Sequence, residues 1–316
     1  MQDQAASLRR LVENKKDSAA AKLGNEEAAA AASVSASASS KSTASPLGKE
    51  SARIIAVTSG KGGVGKSNLP VNLALAFLAE GKEVLVIDAD LGMANVDVLL
   101  GTSSKYNLLH LLDEDVVLDD VILKGPYGLR YISGGSGMEQ AGDFTPTERN
   151  LLEKKLTGCG EMADVILIDT GAGIGRNVLD FILAADEVIL VTTPEPTAMT
   201  DAYAVMKAYS MYAAKPNMRL VVNRVYDEAE SLEVSEKLRK TAERFLHMEI
   251  RALGAIYEDR TMIQAVRQQK PILEAYPSAL ATQCIKAIAR TILYGEKVHI
   301  KKGWKSFLQY FLDFTR

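Results

Sequence analysis

Cysteine is almost absent from this chain of 316 residues: Cys159 and Cys284 are the only two, and they share no CxxC spacing. That excludes a disulfide framework and a cysteine-rich cluster site, and it fits a reducing cytoplasm. Strong charge of either sign is also missing. A net charge of −3 argues against a surface built to coat DNA. No signal peptide is expected at the N-terminus, and no apolar run approaches the roughly 18 residues that a bilayer-spanning helix needs. What remains is 47% hydrophobic content, sufficient for one large α/β core.

That core is organised around one stretch. Ile54-Ile55-Ala56-Val57-Thr58-Ser59 is an apolar, β-branched run, and Gly60-Lys61-Gly62-Gly63-Val64-Gly65-Lys66-Ser67 follows it directly. Asn68 and a helix-compatible stretch rich in Ala and Leu come next. The order strand, glycine loop, helix is the one that phosphate binding requires. Glycines let successive N–H groups turn inward toward phosphate oxygens, and the helix N-terminus adds partial positive charge. Lys66 is placed to neutralise the β- and γ-phosphates, and the Ser67 hydroxyl to ligate Mg²⁺. A chance glycine turn would lack both flanking elements.

From Arg53 onward the pattern alternates. Strand candidates are 53–58, 83–87, 129–132, 164–168, 187–192, 219–223 and 251–256, with helical stretches such as Thr197 to Ala213 and Ser231 to Leu246 between them. Thr145-Pro146-Thr147-Glu148 forms a capping box that opens a helix from Pro146 to Leu156. Continuous apolar strands such as Val84 to Ile87 and Val165 to Ile168 predict a doubly wound, mostly parallel sheet with helices on both faces. Ligands bind such sheets at the carboxyl ends of the strands. Two of those ends carry acids, Asp88-Ala89-Asp90 and Asp169-Thr170-Gly171-Ala172-Gly173. A single Asp after a strand is usually a turn or cap residue. Three carboxylates beside a phosphate loop instead complete a Mg²⁺–nucleotide site, and Gly171 and Gly173 let a backbone N–H approach the γ-phosphate.

The termini differ from the body. Ala5, Leu8 and Val12 share one face of a short amphipathic segment (1–16), and an Ala/Ser-rich stretch (17–50) reads as a flexible tether. Beyond the expected ATPase domain (51–296) lies a C-terminal amphipathic helix, 297–316. Trp304, Phe307, Leu308, Phe311, Leu312 and Phe314 fall in one arc of it, and from Gly295 onward five basic residues face two acidic ones. Such a helix suits an anionic membrane surface. The other reading is a terminal helix whose aromatic face packs on the body, and the two can alternate with nucleotide state.

The loop with a second lysine right after its first glycine, together with the two acidic strand ends, resembles the deviant Walker A ATPases of the MinD/ParA family over about residues 53–295. The resemblance implies ATP and Mg²⁺ as cofactors and an ATP-dependent homodimer. Within it Lys61 reaches the partner's phosphates and Asp90 positions the attacking water. Asp88 and Asp169 surround Mg²⁺, and Asn223 reads the adenine. Pro70 departs from the family pattern and puts the first helical turn in doubt if the helix starts at Gly65 or Lys66. Asp3-Gln4-Ala5-Ala6-Ser7-Leu8-Arg9 is similar to the Asp-Gln-Ala-x-x-Leu-Arg signature of the FlhG group of MinD-like flagellar regulators. In that group this segment activates an FlhF-type GTPase.

The expectation is therefore a slow, partner-regulated ATPase that controls flagellar number and placement. It would be cytoplasmic and peripheral on the inner membrane face, meeting flagellar basal-body or regulatory proteins and no specific nucleic acid. A division-site MinD, a ParA-type DNA-partitioning ATPase and a nucleotide-gated scaffold without hydrolysis remain the alternatives.

Overall fold

The computed structural model describes residues 51–90, 95–135, 145–214, 216–295, 304, 307–309 and 311. The partner-activating segment (Asp3, Gln4, Ala5, Leu8, Arg9), the tether, and Leu312 and Phe314 lie outside the described residues.

Eight strands form one sheet: β1 (Arg53–Ser59), β2 (Val84–Ala89), β3 (Ile122–Lys124), β4 (Arg130–Ile132), β5 (Val165–Ala172), β6 (Glu187–Thr192), β7 (Met218–Val225) and β8 (Ile250–Tyr257). Their order is β3-β4-β2-β5-β1-β6-β7-β8. Every neighbouring pair is parallel except β3–β4. The seven expected strands are all present. The eighth, β3, is a three-residue antiparallel edge strand, too short to show a period of two. β5 also runs four residues past the expected Ile168, so Asp169 to Ala172 continue the strand.

Seven helices of eight residues or more are described: α1 (Asn68–Ala79), α2 (Pro146–Leu156), α3 (Arg176–Ala184), α4 (Pro196–Tyr212), α5 (Glu228–Leu246), α6 (Arg260–Arg267) and α7 (Leu280–Tyr294). Alternation along the strands separates two apolar layers. Ile54 and Ala56 of β1 face the layer holding Leu152, Ile182, Val205 and Leu238, from α2 to α5. Ile55 and Val57 face the layer holding Leu73, Phe77, Ala265 and Ile288, from α1, α6 and α7. Because both faces are covered, β1, β2, β5 and β6 are buried along almost their whole length, which explains their unbroken apolar sequences.

Local signals hold where they were strongest. The Thr145 hydroxyl accepts from the Glu148 amide at 3.3 Å, and a Glu148 carboxylate oxygen accepts from the Thr145 amide at 2.7 Å. Helix α1 starts at Asn68, so Pro70 occupies its third position. An N–H there has no intrahelical partner in any case, and the proline costs no hydrogen bond.

Three of the aromatic residues expected to face a membrane, Trp304, Phe307 and Phe311, pack on the body. Trp304, Phe307 and Leu308 are buried, and the Trp304 indole N–H donates to the Leu156 carbonyl. The Phe181 ring stacks on Phe311 at 4.2 Å and on Phe307 at 6.5 Å. Among the described residues no helix is long and apolar enough to cross a membrane.

Candidate functional site

The carboxyl ends of β1, β2, β5, β6 and β7 meet around the glycine loop, and a cleft of about 1320 Å³ opens there. Gly62, Gly63, Gly65, Lys66, Ser67, Asn68, Asp90, Gly171 and Asn223 line it. Two glycines of the loop are obligatory for different reasons. A Cβ on Gly60 would lie 2.1 Å from the Asp201 carbonyl carbon, because the loop enters against the backbone of α4. Gly65 has φ +93°, and a Cβ there would also meet the Asn223 amide at 2.2 Å. Val64, between these two glycines, is buried.

Lys66 is 7% exposed and its ammonium sits 2.7 Å from Asp169 Oδ1 and 3.3 Å from the Ser67 hydroxyl. Asp169 is fully buried; burial pushes its carboxyl above the usual carboxylate range, and the Lys66 charge opposes that shift. Its second oxygen, Oδ2, is buried without a hydrogen-bond partner.

Asp88 is also fully buried, and it works on the backbone that follows it. Its Oδ1 accepts from the Asp90 amide at 3.0 Å, and its Oδ2 accepts from the amides of Asn95 at 2.9 Å and Val96 at 3.1 Å. Burial first, and then the neighbouring Asp169 charge, push the Asp88 carboxyl up to about 7, against those three hydrogen bonds. The exit of β5 is tied to β1 by the Thr170 hydroxyl, which donates to the Val57 carbonyl at 3.1 Å, and by the Gly173 amide, which donates to the Ser59 carbonyl at 2.8 Å. Gly171 faces the cleft through this arrangement.

Lys61 lies over the start of α4. Its ammonium is 2.9 Å from Glu195 Oε2 and 3.0 Å from the Thr197 hydroxyl, both in its own chain. Glu195 and Thr197 were not singled out from sequence, although they follow an apolar strand end as Asp88 and Asp169 do. Asn223 closes the far side of the loop, donating from Nδ2 to the Val64 carbonyl at 2.7 Å. It is aimed there by a register shift at the end of β7 and by Arg224, a non-glycine residue with φ +60° that also lines the cleft.

Mg²⁺ fits this donor set. No group of three or more His, Cys, Asp or Glu side chains able to hold a metal occurs among the described residues. A Mg²⁺ ion held by the Ser67 hydroxyl and by phosphate oxygens, with waters on the carboxylates, needs no such cage. The orphaned Asp169 Oδ2 suits one of those waters.

Comparison with known proteins agrees with this geometry. The model of the family described as "ParA: NUBPL iron-transfer P-loop NTPase" matches residues 50–293. The chain is 39% identical over 240 residues to the antiactivator FleN of Pseudomonas aeruginosa, covering 76% of this chain and 86% of that protein. It is 37% identical over 271 residues to the flagellum site-determining protein YlxH of Helicobacter pylori, covering 84% and 92%. Among solved structures it resembles the septum site-determining protein MinD of Pyrococcus horikoshii complexed with Mg-ADP, with a TM-score of 0.63, 27% identity, and 76% of this chain and 96% of that one covered. The loop, the paired acidic strand ends, the sheet order and these relatives agree: the chain belongs to the ParA/MinD family of P-loop NTPases.

Proposed function

We propose that this protein is an ATP-driven switch of the FlhG type that regulates flagellar number and placement. The observation that carries the reading is the 37% identity to a flagellum site-determining protein over 84% of the chain. The similarity to FleN and the Asp3–Arg9 signature support it independently.

In this reading the glycine-loop amides and Lys66 bind the ATP phosphates, and Lys66 gives up part of its hold on Asp169 to do so. Bound Mg²⁺, held through Ser67 and through waters on Asp88 and Asp169, supplies charge neutralisation. Asp90 orients a water for attack on the γ-phosphorus; the bond to the bridging oxygen breaks and ADP departs. The Gly171 and Gly173 backbone meets the γ-phosphate, Asn68 lies beside the phosphates, and Asn223 reads the adenine. Lys61 leaves Glu195 and Thr197 to reach the phosphates of a second copy, which ties assembly to nucleotide state. The dimer frees the docked Trp304, Phe307, Leu308 and Phe311 side chains for an anionic membrane, where two tails gain avidity. Hydrolysis resets both steps.

The N-terminal arm is the output: residues 1–16 stimulate an FlhF-type GTPase, delivered on a tether from the 51–296 body. The test follows GTP hydrolysis by a purified FlhF-type GTPase with the full-length protein, its Gln4→Ala variant, or neither. Stimulation that disappears with Gln4→Ala supports the reading. No stimulation overturns it and favours a division-site ATPase, the reading suggested by 29% identity to MinD of Bacillus subtilis.

A further inference from the structure

Beyond the residues that face the cleft, one carboxylate holds the acidic strand end in place. The short helix Val96–Leu100 follows the Asp88-Ala89-Asp90 strand end, anchored in the core by buried Val96 and Leu100 and by partly buried Leu99. Its direction is set by Asp97. The Asp97 Oδ2 accepts from the Ser133 hydroxyl at 2.6 Å and from the Ser104 hydroxyl at 2.9 Å. Its backbone carbonyl accepts from the Thr102 amide at 3.0 Å and the Thr102 hydroxyl at 3.3 Å, and that hydroxyl meets Tyr131 Oη at 2.6 Å. Asp97 Oδ1 is buried with no hydrogen-bond partner.

Ser133 and Tyr131 belong to β4 and its exit, which runs beside β2 with Ile132 paired to Ile87. Ser133 therefore leaves the sheet next to Asp88. The helix that Asp97 fixes presents the Asn95 and Val96 amides to Asp88 Oδ2, and the other oxygen of the same carboxylate holds the Asp90 amide. A carboxylate accepting three N–H groups cannot turn without breaking one of them. The orientation of Asp88 and the backbone at Asp90 thus follow the position of the helix.

We propose that Asp97 is a positioning residue of the nucleotide site, acting through Ser133, Ser104 and the Asn95–Val96 amides on Asp88 and Asp90. The kinetic consequence rests on the ATPase reading above, in which Asp90, whose backbone amide Asp88 holds, orients the attacking water. Asp97 does not line the cleft, so its loss acts on turnover and leaves nucleotide affinity nearly intact.

The experiment uses the full-length protein, Asp97→Asn, and the paired Ser104→Ala/Ser133→Ala variant, which keeps the carboxylate but removes its donors. Mg-ATP turnover and amide hydrogen exchange are measured for each. Expected are a fall in kcat of about tenfold or more with KM within about twofold, and exchange at Asn95 and Val96 faster by about tenfold while β5 amides are unchanged. Unchanged kcat in a wild-type protein that turns over ATP overturns the proposal. So does loss accompanied by faster exchange throughout the sheet, which marks general destabilisation. Should the wild type not hydrolyse ATP, the ATPase reading fails on its own, and exchange still decides: unchanged Asn95 and Val96 amides overturn the role of Asp97.

Discussion

Lys66 and Asp169 form a buried ion pair at 2.7 Å, joining the phosphate loop to the neighbouring strand end 103 residues away. Lys66 is thus already neutralised inside the protein, and in the proposed mechanism nucleotide would exchange one anionic partner for another. Removing only one member leaves the other charge buried. Lys66→Met is expected to lower the stability of the nucleotide-free protein by about 3–5 kcal/mol at pH 8. The loss should be smaller at pH 5, because burial already raises the Asp169 carboxyl and protonation relieves it. Adding Asp169→Asn should restore most of the stability without restoring nucleotide binding. Urea unfolding of the single and double variants reads the effect; a neutral Lys66→Met would contradict the pairing.

The docked tail has a specific seat. A Cβ on Gly160 would lie 2.7 Å from Trp304 Cβ, so Gly160→Ala should displace the tail while sparing the sheet. Trp304 is the only tryptophan and is buried, which makes its emission a direct report. The variant should show red-shifted emission, stronger quenching by acrylamide, and tighter binding to anionic vesicles without nucleotide. Unchanged emission would place the indole elsewhere.

Asp180 on α3, next to the Phe181 ring that carries the tail, is fully buried and neither carboxylate oxygen has a hydrogen-bond partner. Burial pushes its carboxyl up to about 6, with the Arg176 charge pulling the other way. The folded state therefore binds more protons than the unfolded chain between about pH 4 and 6, and stability falls across that window. Asp180→Asn should raise stability by about 1–3 kcal/mol at pH 8 and leave it unchanged below pH 4. Equal effects at both pH values would rule out this ionisation as the cause.

Much of this site was legible because its signals are local. Gly60 to Ser67 lie in one unbroken run, and Asp88 and Asp169 each follow an apolar strand whose burial on both faces leaves a continuous imprint. The Thr145–Glu148 box needs only four residues. What escaped depends on contacts across the sequence. Lys61 meets Glu195 134 residues on, and Asn223 reaches the Val64 carbonyl across 159. Asp97 accepts from the Ser133 hydroxyl 36 residues on, a contact that periodicity cannot reveal. Periodicity puts Trp304, Phe307, Leu308 and Phe311 on one face, but a period of 3.6 says nothing about what covers it; Phe181 and the notch at Gly160 do.

The most direct test of the nucleotide switch is the solution mass of the Asp90→Ala variant in Mg-ATP and in Mg-ADP, by light scattering. A switch gives a monomer of 34.1 kDa with ADP and twice that mass with ATP, and Lys61→Ala added to the same chain returns it to the monomer. One mass in both nucleotides, or an ATP dimer indifferent to Lys61, would contradict the account.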